Sequence, residues 1–146
     1  MNNVGRTIVA NGYISEAYNR LNRKDGEKYV EINMSDIYTA LIQEAGRWCE
    51  SYASDLLHDI DAVKRHLEFP DEWEKSRNFR KTKDGADSVY FRFGFRANGV
   101  DHREYIECAL KNEHEKYHYY RSIWELSIVK SAVRRNMVVA TLTRTA

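Results

Sequence analysis

The chain has 146 residues, of which 42% are hydrophobic and 31% charged, and these fractions indicate a folded globular domain rather than a disordered segment. Two cysteines, Cys49 and Cys108, are too few for a disulfide framework, so a reducing, cytoplasmic location is expected. No apolar run approaches the roughly 20 residues of a membrane span, and we expect neither a signal peptide nor a membrane anchor.

Charge is segregated along the chain, although the net charge is only +1. Residues 31–74 contain eleven acidic and three basic residues, whereas residues 75–103 contain eight basic and three acidic residues. This separation predicts a dipolar molecule with acidic and basic side chains on opposite flanks. Such a charge distribution influences the choice of partner rather than the fold.

The first predicted elements are a turn at Asn11-Gly12 and a strand over Glu27–Asn33. One long amphipathic helix is then predicted over residues 35–68, with Ser35 as its N-cap. Its apolar residues recur at alternating steps of three and four from Ile42 to Leu67. The helix is expected to end at Phe69-Pro70, because the residue before a proline avoids helical backbone angles.

A basic loop over residues 75–87 leads into a predicted β-hairpin over residues 88–110. Its first strand, Ser88–Ala97, alternates apolar and polar residues, and Asn98-Gly99 favours a tight turn. Residues 104–121 suit a helix about as well as a strand, and a second strand pair is predicted at Ile123–Val129 and Met137–Thr143. The whole chain is therefore expected to form one α+β domain, in which an antiparallel sheet of hairpins and meander packs against the long helix.

The preferred binding surface combines the basic loop with the polar face of the strand that follows it. Basic side chains interleaved with aromatic rings can pair with anions and anchor a partner. The residues assigned to this surface are Arg77, Arg80, Lys81, Lys83, Tyr90, Arg92 and Arg96.

This surface suggests a small non-enzymatic interaction protein, an inhibitor or accessory factor that binds a protein partner through complementary charge. A nucleic acid or a phosphorylated ligand is the alternative partner, and self-association of the acidic helix with the basic strand face is a further possibility. No glycine-rich phosphate loop is evident, and no cofactor is expected.

A rival hypothesis from a different class rests on the pattern His-Glu-Lys-Tyr-His at residues 114–118. These five residues match H-E-x-x-H, and in this respect the chain resembles the zincin metallopeptidases. The resemblance implies a zinc hydrolase in which His114 and His118 bind the metal and Glu115 is the base. A third ligand would come from upstream, from His102 or Glu104.

Overall fold

A computed structural model describes residues 4–16, 26–48, 53–95, 107, 110, 111 and 121–146. It shows an α+β fold in which a curled six-stranded antiparallel sheet carries helices on one face. The strands are β1 Thr7–Glu16, β2 Lys28–Ile32, β3 Phe79–Lys81, β4 Asp87–Phe95, β5 Ser122–Lys130 and β6 Met137–Arg144. The helices are α1 Ser35–Trp48 and α2 Ala53–Glu68, followed by a 3-10 helix, Pro70–Lys75.

The strand order across the sheet is β2-β1-β6-β5-β4-β3. The chain therefore begins near one edge with β1 and β2, crosses one face through the helices, and reaches the opposite edge at β3. The meander β3 to β6 then returns until β6 pairs with β1, for example Ala10 with Ala140. This path places β3, a strand of only three residues within the predicted basic loop, at the edge of the sheet.

The core lies between the sheet and the helices. In β4 the buried apolar side chains are Val89, Phe91, Phe93 and Phe95, and β5 adds Trp124, Leu126 and Ile128 to the same layer. The apolar side chains of α1 and α2 cover this layer, with Ile37, Leu41 and Val63 fully buried.

A buried carboxylate joins α1 to the sheet. Glu44 is only 8% exposed, and its Oε1 accepts hydrogen bonds from Trp48 Nε1 at 2.5 Å and Ser122 Oγ at 2.9 Å. A buried carboxylate needs donors, and here the Trp48 bond lies within α1 while the Ser122 bond joins α1 to β5.

The single long helix predicted over residues 35–68 is not confirmed. The described residues form two helical segments, α1 and α2, and residues 49–52 lie outside the described part. The predicted cap is also different, because Asn33 Oδ1 accepts hydrogen bonds from both the backbone N–H (3.0 Å) and the hydroxyl (2.6 Å) of Ser35. The predicted end before Pro70 is confirmed.

Most of the predicted strands are confirmed, with changes in how they pair. The strand predicted over 88–97 is β4, but its described neighbours are β3 and β5. The return strand of the predicted hairpin falls mainly outside the described residues, and Glu107 and Leu110 are helical. The predicted basic loop contains β3, and the strand pair at 123–129 and 137–143 is observed as β5 and β6.

The turn predicted at Asn11-Gly12 is wrong, because both residues lie inside β1. A Cβ atom on Gly12 would stand 2.5 Å from Ile32 Cβ, and it would come still closer to the carbonyl oxygen of Glu31. Glycine is therefore required here by the close approach of β2 and not by a reversal of the chain.

Candidate functional site

Part of the basic loop over residues 75–87 meets α2 in a groove of about 370 Å³ at the β3 edge of the sheet. Three arginines line the groove: Arg77 in the turn before β3, Arg80 on β3 and Arg92 on β4. The other described lining residues belong to α2, the turn and β4, and are Asp59, Ala62, Asn78, Tyr90, Phe91 and Phe93. Four of the seven residues assigned to the surface from sequence are thus neighbours.

Tyr90 is held in place on the outer face of the sheet. Its hydroxyl donates a hydrogen bond to Glu125 Oε1 at 2.7 Å, and Arg80 Cζ lies 5.7 Å from its ring centroid. Burial, and then the hydrogen bond to Glu125, raises the pKa of Tyr90. The guanidinium of Arg80 is also fixed, because it donates to the carbonyls of Arg77 at 3.0 Å and Phe79 at 2.8 Å. This side of the groove is therefore pre-organised.

None of the three guanidinium groups forms an ion pair with a described residue, and among them only that of Arg80 is held by hydrogen bonds to carbonyl oxygens of described residues. Glu125 on β5 lies directly opposite Arg92 on β4, yet its carboxylate accepts a hydrogen bond from the hydroxyl of Tyr90. Two cationic groups therefore remain available to an anion at the groove.

Lys81 and Lys83 do not line the groove. Lys81 lies across from Asp87 on the side of the sheet that faces the helices, and its ammonium forms a short ion pair with the Asp87 carboxylate. That hydrogen bond raises the pKa of Lys81. Lys83 is exposed in the turn before β4, and Arg96 lies outside the described residues.

The expected placement of acidic and basic side chains on opposite flanks does not hold at this point. Asp59 of α2 lies in the wall of the same groove as the three arginines. Three arginines and one aspartate therefore line the described part of the groove, which keeps a positive balance.

Sequence reasoning missed a pair that positions the turn before β3. His66 Nε2 lies 2.7 Å from Ser76 Oγ, and His66 Nδ1 lies 2.7 Å from the carbonyl oxygen of Ala62. Because the carbonyl can only accept, Nδ1 carries a proton, and a neutral ring then accepts the hydroxyl proton of Ser76. Ser76 Oγ also accepts from the backbone N–H of Asn78 at 3.1 Å.

This serine–histidine contact also borders a separate cleft of about 230 Å³. Its geometry brings a hydroxyl and an imidazole together, but the same hydroxyl caps the turn that carries Arg77 and Asn78. The edge-to-face contact of His66 with Phe91, at 5.1 Å between centroids, ties the pair to β4. No sequence pattern signals it, since the two residues are ten positions apart on different elements.

The zinc hypothesis stays a prediction, because His102, Glu104 and residues 114–118 all lie outside the described residues. Within the described ranges, no three His, Cys, Asp or Glu side chains come together in a group that could hold a metal ion. None of the helices in the described part is both long and apolar enough to cross a membrane.

Comparison of the chain with family models, with curated proteins and with solved structures gives no match. The chemistry of the groove is therefore the guide to its role.

Proposed function

We propose that this chain is a small non-enzymatic interaction protein, an inhibitor or accessory factor, that docks an acidic segment of a protein partner at the arginine-lined groove. One observation carries the proposal: three guanidinium groups share a groove with a single carboxylate, and none of the three forms an ion pair with a described residue. Like charges placed this close repel one another, and an incoming anion relieves that repulsion.

The surroundings of Tyr90 favour a protein over a single-stranded nucleic acid. Base recognition uses aromatic faces that are free to stack, but one face of this ring is covered by Arg80 and its hydroxyl is bonded to Glu125. Arginine forks, in contrast, pair well with the carboxylates of an acidic peptide.

The test compares two double variants that carry the same change in net charge. Arg77→Glu with Arg92→Glu reverses two of the three groove cations, whereas Lys83→Glu with Arg135→Glu reverses two exposed cations outside the groove. Each tagged protein is used to capture partners from the native host, with and without nuclease, and captured proteins are identified by mass spectrometry. Thermal melting of all three proteins checks that they fold.

We expect the groove variant to lose the partner and the control variant to retain it. Equal capture by the two variants would contradict the proposal. A partner that is released by nuclease treatment would assign the groove to nucleic acid instead.

A further inference from the structure

The edge strand β3 is shorter than β4, the strand with which it pairs. The ladder runs from Lys81–Asp87 to Phe79–Val89, and one residue further Asn78 completes it. The N–H of Tyr90 donates to the Asn78 carbonyl at 2.9 Å, and the Asn78 side-chain amide donates back to the Tyr90 carbonyl at 2.8 Å. The chain then turns away through Ser76, while β4 continues to Phe95.

Among the described residues, the C-terminal part of β4, residues 91–95, is paired on one side, by β5. In an antiparallel sheet, alternate residues direct their N–H and C=O groups to alternate sides. Since Tyr90 bonds towards β3, Arg92 and Gly94 direct theirs to the same side, where no described residue pairs with them. Four backbone groups therefore form an edge that no described residue covers, and Gly94 has no side chain to hinder a close approach.

The charge of this edge selects what can bind there. Arg80 and Arg92 lie on the outer face of the sheet, whereas Asp59 and Ala62 approach from the helix side. An added strand would point alternate side chains to these two faces. Acidic side chains fit the arginine face, and apolar side chains fit the part of the helix-side face formed by Ala62, Phe91 and Phe93.

We propose that the open edge of β4, beside Arg92 and Gly94, binds an extended partner segment of alternating acidic and apolar residues by antiparallel β-strand addition. This inference rests on the proposed function and specifies how the partner is recognised. A partner segment of about five residues would cover residues 91–95, because both strands of an antiparallel pair rise by roughly 3.4 Å per residue.

The geometry also identifies which peptide amides form hydrogen bonds. Partner residues opposite Arg92 and Gly94 would exchange backbone hydrogen bonds with them, and the side chains of those partner residues would lie on the arginine face. The bonding amides are therefore those of the acidic residues and not those of the apolar residues between them.

The probe is a capped seven-residue peptide of alternating glutamate and valine, compared with versions that are N-methylated at single glutamates or single valines. Binding is measured by fluorescence anisotropy. Each methyl group on a central glutamate should weaken binding about tenfold, since it removes one hydrogen bond, whereas methylation of a valine should leave binding unchanged. Any other pattern, or no binding of the unmethylated peptide at millimolar concentration, overturns strand addition.

Two controls separate this inference from the proposed function. Peptide binding that ignores methylation but is lost in the Arg77→Glu, Arg92→Glu variant would leave the acidic docking function standing and remove strand addition. Binding that is unchanged in that variant, or a lysine–valine peptide that binds equally well, would remove both.

Amide exchange measured by NMR tests whether the edge is open in the free protein. The amides of Arg92 and Gly94 should exchange at least tenfold more slowly with the peptide bound. Full protection in the monomeric free protein would show that the chain covers its own edge, and protection that appears only with dimer formation would assign the edge to a second copy. Either result overturns the proposal.

Discussion

Gly12 and Gly46 allow the same substitution, glycine to alanine, to be compared in opposite surroundings. A Cβ atom on Gly12 would collide with the backbone of Glu31 and Ile32, which belong to the adjacent strand β2. Gly46 lies exposed in α1, and a Cβ atom there would meet nothing within 4 Å. The structure therefore predicts effects of opposite sign.

The size of the Gly12→Ala effect follows from the overlap. The new Cβ would lie 2.9 Å from Ile32 Cα and 2.5 Å from Ile32 Cβ, whereas ordinary contact begins at 3.4 Å. The two strands must separate by close to an ångström, which stretches the hydrogen bonds between them beyond a useful length. Overpacking and weakened ladder bonds together should lower the free energy of unfolding by about 3 kcal/mol.

Gly46→Ala should instead raise the free energy of unfolding by about 0.5 kcal/mol, because alanine loses less backbone entropy in a helix. Urea unfolding of both variants, followed by tryptophan fluorescence and circular dichroism, gives the comparison at equal denaturant slope. If Gly12→Ala were as stable as Gly46→Ala, the close approach of β2 to β1 would be refuted.

Two further predictions concern polar groups under the helices. Tyr38→Phe should raise the free energy of unfolding by about 1 kcal/mol in urea titrations, because the buried Tyr38 hydroxyl has no hydrogen-bond partner among the described residues. Burial also raises the pKa of Tyr38 to about 12 from 10.0, so between these pH values the unfolded chain loses a proton that the folded chain keeps. Stability of the wild type should therefore fall with rising pH across this window more than that of Tyr38→Phe, and parallel curves would contradict the assignment. Glu44→Ala should lower the free energy of unfolding by about 3 kcal/mol, because Trp48 and Ser122 lose their acceptor, whereas Glu44→Gln keeps an acceptor oxygen and should cost about 1 kcal/mol in the same titration. Equal losses in the two Glu44 variants would show that the carboxylate does not hold α1 to β5.

The strands with a clear period of two were predictable because side-chain alternation is a property of the local backbone. In β4 the phenylalanines at every second position face the core, as their spacing predicts. The stop before Pro70 is local in the same way. The N-cap of α1 could not be predicted from sequence, because Ser35 and Asn33 are both good capping residues and only the observed hydrogen bonds distinguish them.

The groove was only partly predictable. Arg77, Arg80 and Arg92 could be grouped from their charge, but Lys81 could not be separated from them before its pairing across β3 and β4 with Asp87 was known. Asp59 lies on α2 and precedes Arg77 by 18 residues in the chain, so its place in the groove depends on how α2 packs on the sheet.

Side-chain alternation, helix ends and the run of basic residues can be read from neighbouring positions in the chain, since each depends on backbone geometry over a few residues. The position of the sheet edge cannot, because it depends on pairings such as Thr7 with Thr143, which join residues from opposite ends of the chain. In the resulting strand order β3 is at the edge, and because β3 has three residues and β4 has nine, β4 extends past the end of β3. For that reason the arginines lie beside backbone groups of β4 that no described residue pairs with, and no local pattern of residues contains this information.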